Sequence, residues 1–198
     1  MVLDDKLDYD GELIHNRFAY KYLRKDVNPL GDIVIFRGNM LVEKDGMIDL
    51  EDLVSDDFIY SEDAINICWE IPSLNPFGAV AFQRLFNTEI AIMLRKYEST
   101  VHMNGDDIMI TTPRSGVQNW MSHADSTRKV SVSITYSKDN VALGHTGLNI
   151  RAGDRAPSFA FSLELKDAQA RDLMFKIEST FYAMIQDMFI ATTKITNV

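Results

Sequence analysis

The stretch that decides the fold runs Lys129-Val-Ser-Val-Ser-Ile-Thr-Tyr-Ser-Lys-Asp-Asn-Val-Ala-Leu-Gly-His-Thr-Gly-Leu-Asn149. Val130, Val132, Ile134 and Tyr136 alternate with Ser131, Ser133 and Thr135. Successive side chains of a strand point to opposite faces, so this period of two predicts a half-buried strand. Ser137-Lys138-Asp139-Asn140 carries turn chemistry, because Asp and Asn tolerate the left-handed backbone of tight turns. Val141 to Ile150 then returns as an antiparallel partner, with Lys129 and Asn149 expected as cross-strand neighbours. Gly144 and Gly147 interrupt that strand, and a missing side chain there leaves room for a ligand at the backbone.

Outward from the hairpin, the pattern is mixed. Asp32 to Gly38 reads as a short, β-branched buried strand, followed by a second strand from Asn39 to Glu43. Asp49-Leu50-Glu51-Asp52-Leu53 predicts a short helix with acidic residues in its first turn. Ile65 to Ile71 is a strand ended by Pro72. A helix over Ala79 to Tyr97 follows, with Phe82, Leu85, Phe86, Ile90, Met93, Leu94 and Tyr97 on one face. Asn104-Gly105 marks a turn before a strand from Asp107 to Thr111. Residues 112–127 are polar and irregular and read as a loop beside a site. Phe159, Phe161, Leu163 and Leu165 alternate as a further strand. Asp167 is placed to cap a last helix whose apolar face carries Leu173, Ile177, Phe181, Ile185 and Met188. Strands and helices do not alternate regularly, which excludes a doubly wound fold. The expectation is a single α+β domain over residues 1–198, with a mainly antiparallel mixed sheet and at least two long helices.

Of the 198 residues, 46% are apolar and 25% charged, ordinary for a globular chain able to bury a core. No apolar run approaches the ~20 residues of a membrane span, and the acidic start Met1-Val2-Leu3-Asp4-Asp5 has no secretory pattern. A cytoplasmic protein without membrane contact is expected. The single cysteine, Cys68, excludes an intrachain disulfide, and its apolar neighbours favour a buried inert thiol over a nucleophile. A net charge of −9 opposes direct nucleic-acid binding, which rests on many Lys/Arg–phosphate contacts. Small molecules or proteins are the better partners, including a second copy through a sheet edge or the Met-rich last helix.

Phosphate loops, dinucleotide fingerprints, nucleophile elbows and zinc spacings are absent, so neither a cofactor nor a metal is expected. Candidate chemistry gathers on the hairpin. Lys129 can hold an anion and His145 can exchange a proton near neutral pH. Ser131 and Asn149 add polar groups for substrate. The bland alternative is a solvated Lys129 and a hydrogen-bonded sheet histidine. Arg37 ends an apolar strand, where an unpaired charge is costly. It either grips an anionic substrate group or pairs with Glu70 at the end of its own strand. Asp106-Asp107 after Asn104-Gly105 reads as a solvated turn rather than a metal site, and Asp8-Tyr9-Asp10-Gly11 is equally ambiguous. Trp69 belongs to the core, whereas Trp120, in a polar loop, is the candidate for stacking on a planar ligand. His123 in the same loop has no motif support.

Taken together, Asp8-Tyr9-Asp10-Gly11, Ala19-Tyr20, Phe36-Arg37-Gly38, Asp49-Leu50-Glu51-Asp52-Leu53, Gly105-Asp106-Asp107-Ile108, Arg128 to Ile134 and Gly147-Leu148-Asn149-Ile150 resemble, in order, an archaeal and viral family of unknown function. The resemblance covers about residues 7–151 and rests on the joint order of its elements. That family is similar to the biotin and lipoyl protein ligases, whose catalytic domain is related to class II aminoacyl-tRNA synthetases. The resemblance implies their fold, with Lys129 and Gly147-Leu148-Asn149 in places comparable to the ligases' adenylate-contacting lysine and glycine-rich strand. Phe36-Arg37-Gly38 is a poor match for the ligases' Gly/Arg-rich adenylate loop, which argues against ATP use. A viral branch of the family is predicted to act in 7-deazaguanine metabolism, removing the carboxyl group of 7-carboxy-7-deazaguanine before the base enters DNA. Read that way, the chain is a carboxy-lyase in the host cytoplasm. Lys129 or His145 supplies a proton, Arg37 positions the carboxylate, and Glu70 reads the guanine-like edge. The competing expectations are an acyl-adenylate-forming ligase and a non-catalytic binding module.

Overall fold

The computed structural model describes residues 1–15, 17–55, 57–112 and 126–194. In chain order come α1 (Glu12–His15), α2 (Phe18–Leu23), β1 (Asp32–Val42), α3 (Leu50–Ser55), β2 (Ile59–Pro72) and α4 (Pro76–Leu94). Then follow β3 (Val101–Asn104), β4 (Asp107–Thr112), β5 (Ser126–Lys129), β6 (Ser131–Lys138), β7 (Val141–Arg151) and α5 (Asp167–Thr193). The fold is α+β, with a four-stranded antiparallel sheet in the order β1-β2-β7-β6 and a three-stranded antiparallel sheet in the order β3-β4-β5.

The hairpin forms as read, pairing from Ser131↔Leu148 to Lys138↔Val141. Asp139 and Asn140 make its turn with φ of 52° and 61°, a backbone whose twist matches that of the flanking strands. Lys129, however, is not part of the hairpin. It ends β5 and pairs with Met109 of β4. The chain changes sheets at Val130, whose N–H donates to Ile108 O at 2.8 Å and whose carbonyl accepts from Asn149 N at 2.9 Å. Lys129 and Asn149 are therefore neighbours around a sheet crossing, not a cross-strand pair. The glycines also have a different reason from the one expected. A Cβ at Gly144 would overlap the Trp69 indole, and one at Gly147 would sit 2.6 Å from Met40 Sδ. Both make room for core side chains rather than for a ligand.

Strand β1 is one bulged strand rather than two, with its register shift between Gly38 and Met40. Ile33, Val34, Ile35 and Phe36 are all fully buried, because both faces of this strand are covered. The N-terminal segment covers its edge, with the N–H groups of Leu3, Leu7 and Tyr9 donating to Ile35, Arg37 and Asn39. On one sheet face, Ile33, Ile35, Ile65, Ile67 and Trp69 pack with Phe82, Phe86, Ile90, Leu173, Ile177 and Phe181 of the two long helices. Helix α4 starts at Pro76, earlier than predicted, with Asn75 Oδ1 accepting the Gly78 N–H at 2.7 Å. Its buried row is Phe82, Phe86, Ile90 and Leu94, while Leu85 turns out to solvent. On the opposite face, Val34, Phe36, Met40, Ala64 and Cys68 lie under Tyr9, Phe18 and Ala19.

Two further readings differ. The Phe159–Leu165 segment forms a bridge from Ala160 to Lys129 instead of a strand, and Glu164 at φ 51° breaks its extension. Asp167 begins α5 rather than capping it; Lys166 takes the cap position and donates its N–H to Gln169 Oε1 at 2.9 Å. Among the described residues, no helix is long and apolar enough to cross a membrane.

Candidate functional site

Two contiguous chambers of about 180 and 220 Å³ open where the two sheets meet. Asp52, Ile59, Lys129 and Val132 line both. The first chamber is acidic, walled by Asp49, Glu51, Asp52, Asp106 and Asp107, with Tyr9, Met40 and His145 on its sheet side. The second adds aromatic walls, Phe58, Tyr60 and Phe159, with Asp57 at its rim and Asn149 on the sheet. Lys129 stands at the boundary.

Local structure places each of these groups. The sheet crossing at Val130 projects Lys129 toward β4, where Nζ lies 2.8 Å from Asp107 Oδ2. Asp107 follows the Gly105 turn as the first residue of β4. The Asp106-Asp107 pair is thus not a solvated turn. A buried polar network fixes it to α4: Asn87 Nδ2 donates to Asp106 O at 2.8 Å and to Ser133 Oγ at 2.9 Å. Gln83 Nε2 donates to the same Ser133 Oγ at 2.7 Å, and Thr146 Oγ1 donates to Asn87 Oδ1 at 2.9 Å. With its members mutually satisfied, such a network rigidifies what it holds. Asp52 comes from α3, whose N-terminus is capped by Asp49 Oδ1 accepting the Glu51 N–H at 2.8 Å.

The electrostatics are one-sided. Burial raises the Asp107 carboxyl above its ordinary range, opposed by the Lys129 hydrogen bond and charge. Burial also raises Asp52, helped by Asp49. Among the described lining residues, Lys129 is the one cationic side chain. His145 stays neutral: it is buried, stacked on Tyr9 at 3.7 Å with an interplanar angle of 7°, and its Nε2 lies 3.1 Å from Asn66 Oδ1. Desolvation lowers its pKa to about 3.

The structure brings Lys129, Ser131, Asn149 and His145 to the chambers. Ser131 is fully buried and its Oγ accepts the Ile108 N–H at 2.9 Å, joining β6 to β4. Asn149 is 4% exposed, and its Oδ1 has no hydrogen-bond partner among the described residues. Arg37 and Glu70 lie elsewhere and do not pair. The β1–β2 register sets Arg37 opposite Ile65 and Glu70 opposite Asp32. Arg37 instead forks onto Asp63, with Nε–Oδ1 of 2.8 Å and Nη2–Oδ2 of 2.6 Å, and reaches Asp167 at 2.7 Å. Glu70 Oε1 accepts the Tyr20 N–H at 2.9 Å and so caps α2, which has no side-chain cap of its own. Cys68 is buried and its thiol is pushed up by that burial, consistent with an inert residue. Trp120 and His123 lie outside the described residues. The sequence reading missed Asp52, Phe58, Tyr60 and Phe159 as site residues; for Asp52 the acidic first turn of α3 was the available signal. Among the described residues, no group of three or more His, Cys, Asp or Glu is arranged to hold a metal.

A family model described as a domain of unknown function, DUF366, matches residues 1–196. The chain belongs to this family. An uncharacterized protein of Methanocaldococcus jannaschii is 28% identical over 159 residues, 77% of this chain and 63% of that protein. The match thus spans less than two thirds of the relative's length. A protein of unknown function from Pyrococcus horikoshi superposes with a TM-score of 0.80 at 23% identity, covering 100% of this chain and 97% of that one. The Leishmania major biotin protein ligase in complex with biotinyl-5-AMP gives 0.54 at 11% identity, covering 94% and 75%. A bi-partite lipoate protein ligase from Thermoplasma acidophilum gives 0.52 at 10% identity, covering 88% and 81%. This family member therefore has the biotin/lipoyl ligase-like fold; at these identities the likeness concerns fold alone.

Proposed function

We propose that the protein is a small-molecule enzyme of the cytoplasm acting on a 7-deazaguanine-type base, and most specifically that it decarboxylates 7-carboxy-7-deazaguanine, the reaction predicted for a viral branch of the family that the sequence resembles. The observation that carries the reading is the Lys129–Asp107 pair, 2.8 Å apart, between an acidic and an aromatic chamber. A planar ring would stack on Phe159, beside Phe58 and Tyr60, whose rings also carry the Arg155 guanidinium. The substrate carboxylate then faces Lys129 amid several protein carboxylates, an arrangement that raises the energy of the bound anion and is relieved when it departs as neutral carbon dioxide.

In this mechanism the Lys129 ammonium gives its proton to the ring carbon bearing the carboxyl group. The carbon–carboxylate bond then breaks, its electron pair restores the aromatic ring, and carbon dioxide leaves. Solvent returns the proton to the lysine. Asp107 orients the ammonium. His145 is neutral and held under Tyr9, so the donor role falls to Lys129 rather than to the imidazole. Arg37 is already engaged by Asp63 and Asp167 and has no part in the step.

Incubation of the folded protein with 7-carboxy-7-deazaguanine, followed by mass spectrometry, is the test. Appearance of the decarboxylated base is expected. An unchanged substrate would remove the reading. An acyl-adenylate reaction requires the site to accept a triphosphate, which the acidic lining disfavours. Carboxylic-acid-dependent pyrophosphate release would reinstate that reaction.

A further inference from the structure

Glu70, the carboxylate expected from sequence to read a guanine-like edge, is committed to capping α2 at the far end of the sheet. Within the chambers, acceptors abound and donors are scarce. The second chamber presents the half-buried Asp52 from α3, the exposed Asp57 after that helix and Asn149 from β7, and Asn149 Oδ1 is buried without a partner among the described residues. A buried acceptor left unsatisfied is costly, so the wall calls for a ligand that brings N–H groups. A carboxylate accepts two parallel hydrogen bonds from adjacent donors. A ring N–H beside an exocyclic amino group is the matching edge. A ring face is provided separately by Phe159, which is 54% exposed; Phe58 and Tyr60 stand beside it with the Arg155 guanidinium over their rings, 5.9 and 4.7 Å from the centroids.

We infer that Asp52 and Asn149 are specificity-determining residues, which select a planar base carrying an amino group next to a ring N–H over the same base without that amino group. This rests on the reading of the site as a deazaguanine-type pocket. Asp52 accepts the paired donors, and Asn149 Oδ1 accepts a further ring N–H. The selection comes from unpaired acceptors: a base lacking the amino group leaves the Asp52 carboxylate desolvated and under-bonded. Helix α3 delivers Asp52 from outside the sheet, so its substitution leaves both cores untouched.

The experiment is calorimetric titration of the protein with 7-deazaguanine and with 7-deazahypoxanthine, which differs only in lacking the 2-amino group. Wild type is expected to prefer 7-deazaguanine by about ten- to hundredfold, the range of a charge-assisted hydrogen bond. Asp52→Asn should bring that ratio close to unity while leaving the thermal melt unchanged. Asn149→Ser should weaken both ligands together, because the N–H it accepts is common to them. Equal binding of the two bases by wild type, or an undiminished preference in Asp52→Asn, would overturn the inference. Decarboxylation without this preference would discard the selectivity and keep the reaction. The preference without decarboxylation would keep the selectivity and discard the reaction.

Discussion

The two faces of the four-stranded sheet solve different problems. The face under α4 and α5 is closed by interlocking aromatic side chains, with Phe82, Phe86 and Phe181 in contact at ring-centroid distances of 5.6 to 5.8 Å. The opposite face is closed over Phe36 by α2 and the N-terminal segment, but open beside Met40, where the chambers begin. The closed face holds apolar groups that need no partner and a few polar ones, Gln83, Asn87, Ser133 and Thr146, that bond to one another. The open face holds carboxylates whose protonation is shifted by burial and an amide oxygen that lacks a partner. Buried groups without a partner among the described residues occur on both, Trp69 Nε1 on the first and Asn149 Oδ1 on the second; the second adds shifted carboxylates beside the chambers, which is where ligand chemistry is expected.

Substitutions can break this division. Phe86→Ala empties a fully buried position on the closed face and should cost about 3–5 kcal/mol of unfolding free energy, measured by denaturant titration. Lys129→Met on the open face should lower decarboxylation by about 10²–10⁴-fold, the range for a lost general acid, with a smaller loss of stability than Phe86→Ala, because Asp107 loses its partner but its side chain is 25% exposed. If the two variants exchanged effects, the division would be wrong. Arg37→Met sharpens it. That residue leaves Asp63, whose side chain is 7% exposed, without its partner. A loss of about 3 kcal/mol of stability is expected, with affinity for the base unchanged.

The smallest effect is set by pH. The His145 imidazole titrates in the native protein at about 3, below the ordinary 6.5 it regains on unfolding. Below pH 6.5 the unfolded chain therefore binds a proton that the native state refuses, and stability falls as the pH drops. The contribution is up to about 1.4 kcal/mol per pH unit. The raised carboxyls of Asp52 and Asp107 act with the opposite sign in the carboxylate range, because the native state takes up their protons first. Comparing the unfolding of wild type and His145→Gln between about pH 6.5 and 5.5 separates the histidine from these carboxyls. His145→Gln should flatten the slope there; an unchanged slope would mean that the imidazole is not the group responsible.

Much of the fold was legible because its signals are local. The serine alternation through Val132 and Ile134, the Asp139-Asn140 turn and the apolar spacing of Phe82, Phe86 and Ile90 each report on residues within a few positions. Of the site, Lys129, Asn149 and His145 were legible as residues lining one wall, since the hairpin brings that part of the chain together. Their roles were not. His145 reads as a proton carrier until Tyr9, more than a hundred residues earlier, stacks on it. Gly144 and Gly147 read as openings until Trp69 and Met40 fill them.

By itself the sequence determined an α+β chain with the β6–β7 hairpin, two long amphipathic helices and a buried thiol, because periodicity and turn chemistry act over short distances. Tertiary structure alone decided which charges meet. Arg37 finds Asp63 rather than Glu70 because antiparallel register sends the ends of β1 and β2 apart. Lys129 finds Asp107 because the chain changes sheets at Val130. Pairing across sheets depends on register and crossing points, which no local pattern encodes, and the site is built from such pairings.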